Sequence, residues 1–342
     1  MKSPACSVLH LHPLRRCNLQ CHHCYSDSSP QAGDLMAVEL ALETISRAAQ
    51  WGYTALSVSG GEPMLYPWLP ELLEHARQAG MSTSLVTNGL LCRTSADIRK
   101  LRAADTVTVS IDGLSFNHDR MRARDGAFAG ACVAIRRLVD AGIPTRVGCG
   151  LTGDNAEEVE DLIAEAIGWG VQGISFHIVE RAGRANSLAQ DTFLPQQAQT
   201  VLYAAINLLA AVNRHLLDIR IDLLHRDNVL RRPHLLYADI EDADLSRPST
   251  WLRVLIVYPD GRIGPVCHGF PMTSARVQDD AFFERAREKL AAVGKRAMHQ
   301  LATDASIQVL NPDDWLAGMA QGVWSPMVSL QQPVRHDVTR PR

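Results

Sequence analysis

The 342-residue sequence predicts an α/β fold: a closed or partly closed (β/α) barrel followed by a small α+β extension. Two observations carry that expectation. From Ala5 to about Leu224, short apolar runs alternate with amphipathic stretches, which means βαβ units and a parallel sheet of six or seven strands. Beyond Leu224 this rhythm breaks, and one hairpin signal takes its place.

Each element follows from local pattern. Ser7–Leu11 reads as the first strand, and a cysteine-bearing loop leaves its C-terminal end. Leu35–Trp51 carries Val38, Ala41, Leu42, Ile45 and Ala48 at helical spacing and is closed by Gly52. Thr54–Ser59 is the next strand, Trp68–Ala79 a helix closed by Gly80, and Ser82–Val86 a strand. Thr94 with Asp97 forms a capping-box pattern opening a short helix to Ala103. Thr106–Ile111 is a strand, and Ala127–Ala141 is a helix closed by Gly142. Then come a strand at Thr145–Leu151 and a helix at Ala156–Trp169, capped by Asp154 or Asn155. A strand at Ile174–Val179, a long helix beginning near Pro195 and a strand at Asp218–Leu223 complete the series. In the extension, Leu252–Tyr258 and Arg262–Val266 flank Pro259-Asp260-Gly261, a hairpin turn, and a helical stretch runs from about Asp280 to Leu301.

Composition excludes some classes. Hydrophobic content of 46% and charged content of 21% are ordinary for a globular chain, and a net charge of -3 supplies no global basic field for nucleic acid. Met1–Arg16 contains His10, His12 and Pro13 instead of an apolar signal core, so no export signal is expected. The longest apolar stretch, Val201–Val212, is interrupted by Asn207 and too short to span a bilayer, so no membrane partner is expected. Eight cysteines, three of them clustered, in a chain without an export signal point to reduced or metal-bound thiols and a cytoplasmic location.

Those three are Cys17, Cys21 and Cys24, spaced C-x3-C-x2-C. A structural zinc site takes four N/S ligands, typically as two short pairs, and no second pair exists here. Three thiolates on a four-iron cluster leave one iron without a protein ligand, an open position where chemistry can occur. Three further segments follow predicted strands: Gly60-Gly61-Glu62-Pro63, Thr87-Asn88-Gly89 and Ser110-Ile111-Asp112-Gly113. In (β/α) barrels, ligands gather at that end of the sheet.

The cysteine loop, Gly-Gly-Glu-Pro and Ser-Ile-Asp-Gly, in that order on strand ends, resemble the radical S-adenosylmethionine (radical SAM) superfamily over about the first two-thirds of the chain. The resemblance implies a partial (β/α)6 TIM-like barrel over residues 1–224. It implies one 4Fe–4S cluster held by Cys17, Cys21 and Cys24, with S-adenosylmethionine on the open iron. Gly60 and Gly61 are expected to let backbone approach the amino-acid part of that cofactor, Glu62 to accept from its ammonium, and Pro63 to fix the turn. Ser110 and Asp112 suit its ribose or carboxylate, His23 takes the family's adenine-contacting position, and Asn88 is a further candidate contact. The function implied is reductive cleavage of S-adenosylmethionine and hydrogen abstraction from a substrate C–H, with a flavodoxin- or ferredoxin-type electron donor.

Gly264-Pro265-Val266-Cys267-His268-Gly269 resembles the start of a SPASM or twitch extension, placed at residues 225–324 and followed by a flexible tail, 325–342. No cysteine follows Cys267, so the extension is read as degenerate and the chain as holding one cluster. Cys267 is a candidate hydrogen-atom donor, against a buried apolar cysteine. Gly183-Arg184 matches a family habit after the sixth strand, with Arg184 meeting a carboxylate or standing in solvent. The rival reading is a non-catalytic binding or regulatory protein stabilised by zinc or iron–sulfur, with His22 or His23 completing a zinc site. The substrate is a peptide or a small molecule. Sixteen residues before Cys17 leave no room for an N-terminal leader-recognition domain.

Overall fold

A computed structural model describes residues 7–222, 247–250, 254–265 and 276–279. Seven parallel strands follow chain order across the sheet: β1 Val8–Leu11, β2 Ala55–Val58, β3 Ser82–Thr87, β4 Thr106–Ser110, β5 Thr145–Leu151, β6 Gly173–Ile178 and β7 Asp218–Asp222. The helices between them are α1 Val38–Gln50, α2 Leu69–Gln78, α3 Ser95–Arg99, α4 Ser115–Arg122, α5 Ala127–Asp140, α6 Val159–Gly168 and α7 Gln196–Asn213. Six βα units and a seventh strand make the partial barrel that the alternation predicts. Strand β8, Val254–Val257, pairs parallel to β1 on its other side, and β9, Ile263–Pro265, returns antiparallel to β8. The sheet order is therefore β7-β6-β5-β4-β3-β2-β1-β8-β9. The Pro259-Asp260-Gly261 turn is present, with Gly261 at φ 79 and Tyr258 N–H donating to Arg262 O at 2.9 Å. This hairpin extends the barrel sheet.

Alternation along the strands divides the sheet into two faces. Leu9, Leu11, Leu56, Val58, Leu85, Val107, Val109, Val147, Ile174 and Phe176 are fully buried and pack with Ile45, Leu72, Leu73, Ile135, Leu138 and Leu162 of the helices. Their alternates include Ser84, Val86, Thr108, Ser110, Arg146, Gly148, Gly150, Ser175 and His177, mostly small or polar and half-buried or exposed. One face is thus the hydrophobic core, and the other is a hydrogen-bonding lumen.

Thr94 accepts from Asp97 N–H and the Asp97 side chain answers Thr94 N–H, so α3 opens on the expected capping box but stops at Arg99. Helix α4 was not expected. Its buried residues are His118 and Met121, while Phe116 lies in solvent, so no apolar stripe announces it. Cys267, the helical stretch from Asp280 to Leu301 and the tail 325–342 lie outside the described residues. Among the described residues, no helix is long and apolar enough to cross a membrane.

Candidate active site

The cysteine loop leaves β1 and crosses the C-terminal ends of the strands, held largely through hydrogen bonds to its main-chain atoms. Cys17 N–H donates to Ser29 O at 3.0 Å and His22 N–H to Met121 O at 2.9 Å. The loop's entry segment packs directly on the Gly-Gly turn after β2, where Gly61 N–H bonds Leu14 O and Glu62 N–H bonds Arg16 O, both at 2.9 Å. A Cβ on Gly60 would lie 2.8 Å from Leu14 O, and one on Gly61 would overlap Arg16 O outright. Gly60, at φ 100, also occupies the left-handed region. The two glycines are therefore required by the chain's own crossing at Leu14–Arg16.

Glu62 is buried, and its carboxylate accepts from Thr87 Oγ1 at 2.7 Å, Asn88 N–H at 2.9 Å and Met64 N–H at 3.1 Å. Burial pushes its pKa up, against those three donors. Glu62 thus ties the β2 turn to the end of β3. Pro63 opens the short 3-10 turn Pro63–Leu65 that the Glu62 side chain caps. Asn88 then reaches the cysteine loop: its Nδ2 donates to Asn18 Oδ1 at 2.8 Å and lies 3.9 Å from Cys17 Sγ.

Opposite stands a buried charge cluster at the end of β4. Asp112 pairs with Arg122 Nη2 at 2.6 Å and with His23 Nε2 at 3.2 Å, while its Oδ1 accepts from Gly150 N–H at 2.8 Å. Burial acts to raise the Asp112 pKa, but Arg122 and then His23 outweigh it and hold the carboxyl well below the usual range. Arg122 Nη1 also lies 3.8 Å from Cys21 Sγ. His118 Nδ1 accepts from Asp112 N–H at 3.0 Å, so its imidazole must stay unprotonated at that nitrogen. Ser110 ends β4 on the lumen face, half-buried, in register with Gly148. Asn155 does not cap a helix through its side chain. It accepts from Thr152 N–H at 2.8 Å and donates to Gly150 O and Asp112 O, joining the ends of β4 and β5.

Three buried polar atoms here lack a directed hydrogen bond: His23 Nδ1, Arg122 Nε and Asp112 Oδ2, the last charge-paired off axis. Beside them, burial pushes the Cys17 thiol up to about 12 and raises Cys21 as well. Buried thiols of this kind ionise only when a cation compensates them. Among the described residues, no three His, Cys, Asp or Glu side chains converge on one metal ion. Thiolates of a four-iron cluster have no need to converge, because each binds a different iron.

Residues 11–166 match the model of the radical SAM superfamily. The chain carries a radical SAM domain. It is 29% identical over 180 residues to the antilisterial bacteriocin subtilosin biosynthesis protein AlbA of Bacillus subtilis, covering 52% of this chain and 40% of AlbA. To an AdoMet-dependent heme synthase of Methanosarcina barkeri it is 32% identical over 194 residues, 55% of this chain and 54% of the synthase. The chain thus spans about half the length of the curated relatives it matches. The crystal structure of Streptococcus suis SuiB bound to precursor peptide SuiA superposes with a TM-score of 0.64 at 16% identity, over 80% of this chain and 63% of SuiB, which supports the fold. Radical SAM domains use a 4Fe–4S cluster and S-adenosylmethionine. The thiol loop, its compensating charges and the orphaned polar atoms fit both.

The radical SAM motifs do come together at one end of the sheet: Cys17 beside Asn88, Cys21 beside Arg122, and His23 on Asp112. Sequence pattern missed Arg122 and His118, because both sit on the polar helix α4. The signal available was a cluster of charged residues, Asp119 to Asp125, a few positions after the strand-end Asp112-Gly113.

Proposed function

We propose that the chain is a radical SAM enzyme in which Cys17, Cys21 and Cys24 hold the cluster. Once bound, the cluster and S-adenosylmethionine supply a 5′-deoxyadenosyl radical that abstracts hydrogen from a substrate C–H. The observation that carries this is the single loop bearing three thiols, faced across the strand ends by buried, incompletely paired polar groups. Arg122, largely buried with Nη1 3.8 Å from Cys21 Sγ, balances negative charge on the thiols while Asp112 holds it in place. His23 ties the loop to β4 through Asp112. Gly60, Gly61 and Glu62 fix the loop entry and the β3 end, and Asn88 and Ser110 offer polar contacts beside it.

We take the substrate to be a peptide. AlbA is named for biosynthesis of a bacteriocin, and the lumen face from β3 to β6 is lined mainly by hydroxyls, glycines, Arg146 and His177, with Val86 the apolar exception, which suits an amide backbone more than an apolar macrocycle. A small-molecule cofactor precursor is the second reading, favoured by the similarity to a heme synthase. The electron donor is proposed to be a flavodoxin or ferredoxin, and the compartment the reducing cytoplasm.

Anaerobic reconstitution with iron and sulfide tests the reading. The reduced protein is expected to convert S-adenosylmethionine into methionine and 5′-deoxyadenosine, and Cys21→Ser to form neither. A verified four-iron cluster that yields no 5′-deoxyadenosine defeats the catalytic reading; one zinc and no iron would favour the rival.

A further inference from the structure

Two residues after β6 grip the cysteine loop from across the sheet. Arg184 Nε–H donates to Cys21 O at 2.8 Å and Nη2 to Ser28 O at 2.7 Å, and its main-chain N–H donates to Cys24 O at 2.9 Å. Gly183, at φ 54, passes directly under the loop: a Cβ there would lie 2.6 Å from Cys24 O and overlap Tyr25 O. The loop from Cys21 to Ser28 belongs to no helix or strand, so these contacts take the place of a hydrogen-bond ladder. A planar guanidinium can bridge two carbonyls at fixed separation, whereas an ammonium is a point donor. The Nε–H and one Nη2–H of Arg184 are thus committed to main-chain oxygens, which sets it apart from a freely solvated loop residue.

We infer that Arg184 is a positioning residue that sets the cysteine loop in its cluster-binding shape. It holds the carbonyls of Cys21 and Ser28, and with Gly183 that of Cys24, so that the thiols of Cys21 and Cys24 are presented at fixed spacing before iron arrives. Closing the loop on β6 also couples the cluster end of the barrel to a strand outside the motif-bearing ones. The inference rests on reading these cysteines as iron ligands.

Arg184→Met and Arg184→Lys, each reconstituted anaerobically beside wild type, supply the test. Both are expected to keep the far-ultraviolet circular dichroism of wild type, yet to lose iron to a chelator about 10-fold faster, the scale of lost outer-shell support. The electron paramagnetic resonance (EPR) signal of their reduced cluster should broaden or shift. Lysine should fail to rescue. Wild-type iron retention and an unchanged signal in both variants would overturn the inference, as would full rescue by lysine. Should wild type itself take up no cluster, it is the functional reading that fails.

Discussion

The two walls of the site are built by different physics. On the β1 side, the cysteine loop is held by main-chain carbonyls and N–H groups: Cys17 to Ser29, His22 to Met121, Arg184 to Cys21 and Cys24. The thiols themselves take little part in this scaffold, so they remain available. On the β4 side the scaffold is the side chains themselves, with Asp112 and His118 buried and Arg122 and His23 largely covered around them. Main-chain anchoring frees functional groups, whereas buried charge makes the same residues serve both stability and chemistry. Substitutions on the second wall should therefore unsettle the fold, and those in the thiols should not.

The largest effect expected is from Asp112→Asn. It leaves Arg122 buried without its carboxylate, and breaking one half of such a pair costs about 3–5 kcal/mol. Urea unfolding of the cluster-free chain measures this, with Cys21→Ser as the comparison that should unfold near wild type. Equal losses in both would erase the distinction between the walls.

A smaller effect concerns pH. Burial, and then Arg122, lower the His118 pKa from 6.5 to about 4, against the pull of Asp112. The unfolded chain takes up this proton first, so stability from His118 is complete above about pH 6.5 and is lost as pH falls toward 4. Asp112, whose pKa is depressed, loses its own contribution only below the unfolded value of about 3.9. Glu62, raised by burial, gives a slope of opposite sign. The difference between wild type and His118→Asn isolates the histidine, and it should amount to about 1–3 kcal/mol between pH 8 and pH 5. A pH-independent difference would mean that His118 is not held neutral.

Much of the fold was legible because its signals are local. The βα alternation, the Thr94–Asp97 box and the Pro259-Asp260-Gly261 turn are each readable within a few residues. The site was legible in outline, since the motif residues fall on strand ends. What escaped was every relation between distant residues. Gly60 and Gly61 are bare because Leu14–Arg16 crosses them, and Arg184 is fixed by carbonyls more than 150 positions away. Helix α4 escaped because it turns His118, Met121 and most of Arg122 inward, which leaves no apolar periodicity.

The central claim is that three thiolates hold the cluster and one iron is left for S-adenosylmethionine. EPR of the anaerobically reduced wild-type cluster, recorded before and after adding S-adenosylmethionine, tests it most directly. The account predicts a 4Fe–4S signal whose g-values change on addition, because a ligand has entered the open position. A four-iron signal that S-adenosylmethionine leaves untouched would contradict it.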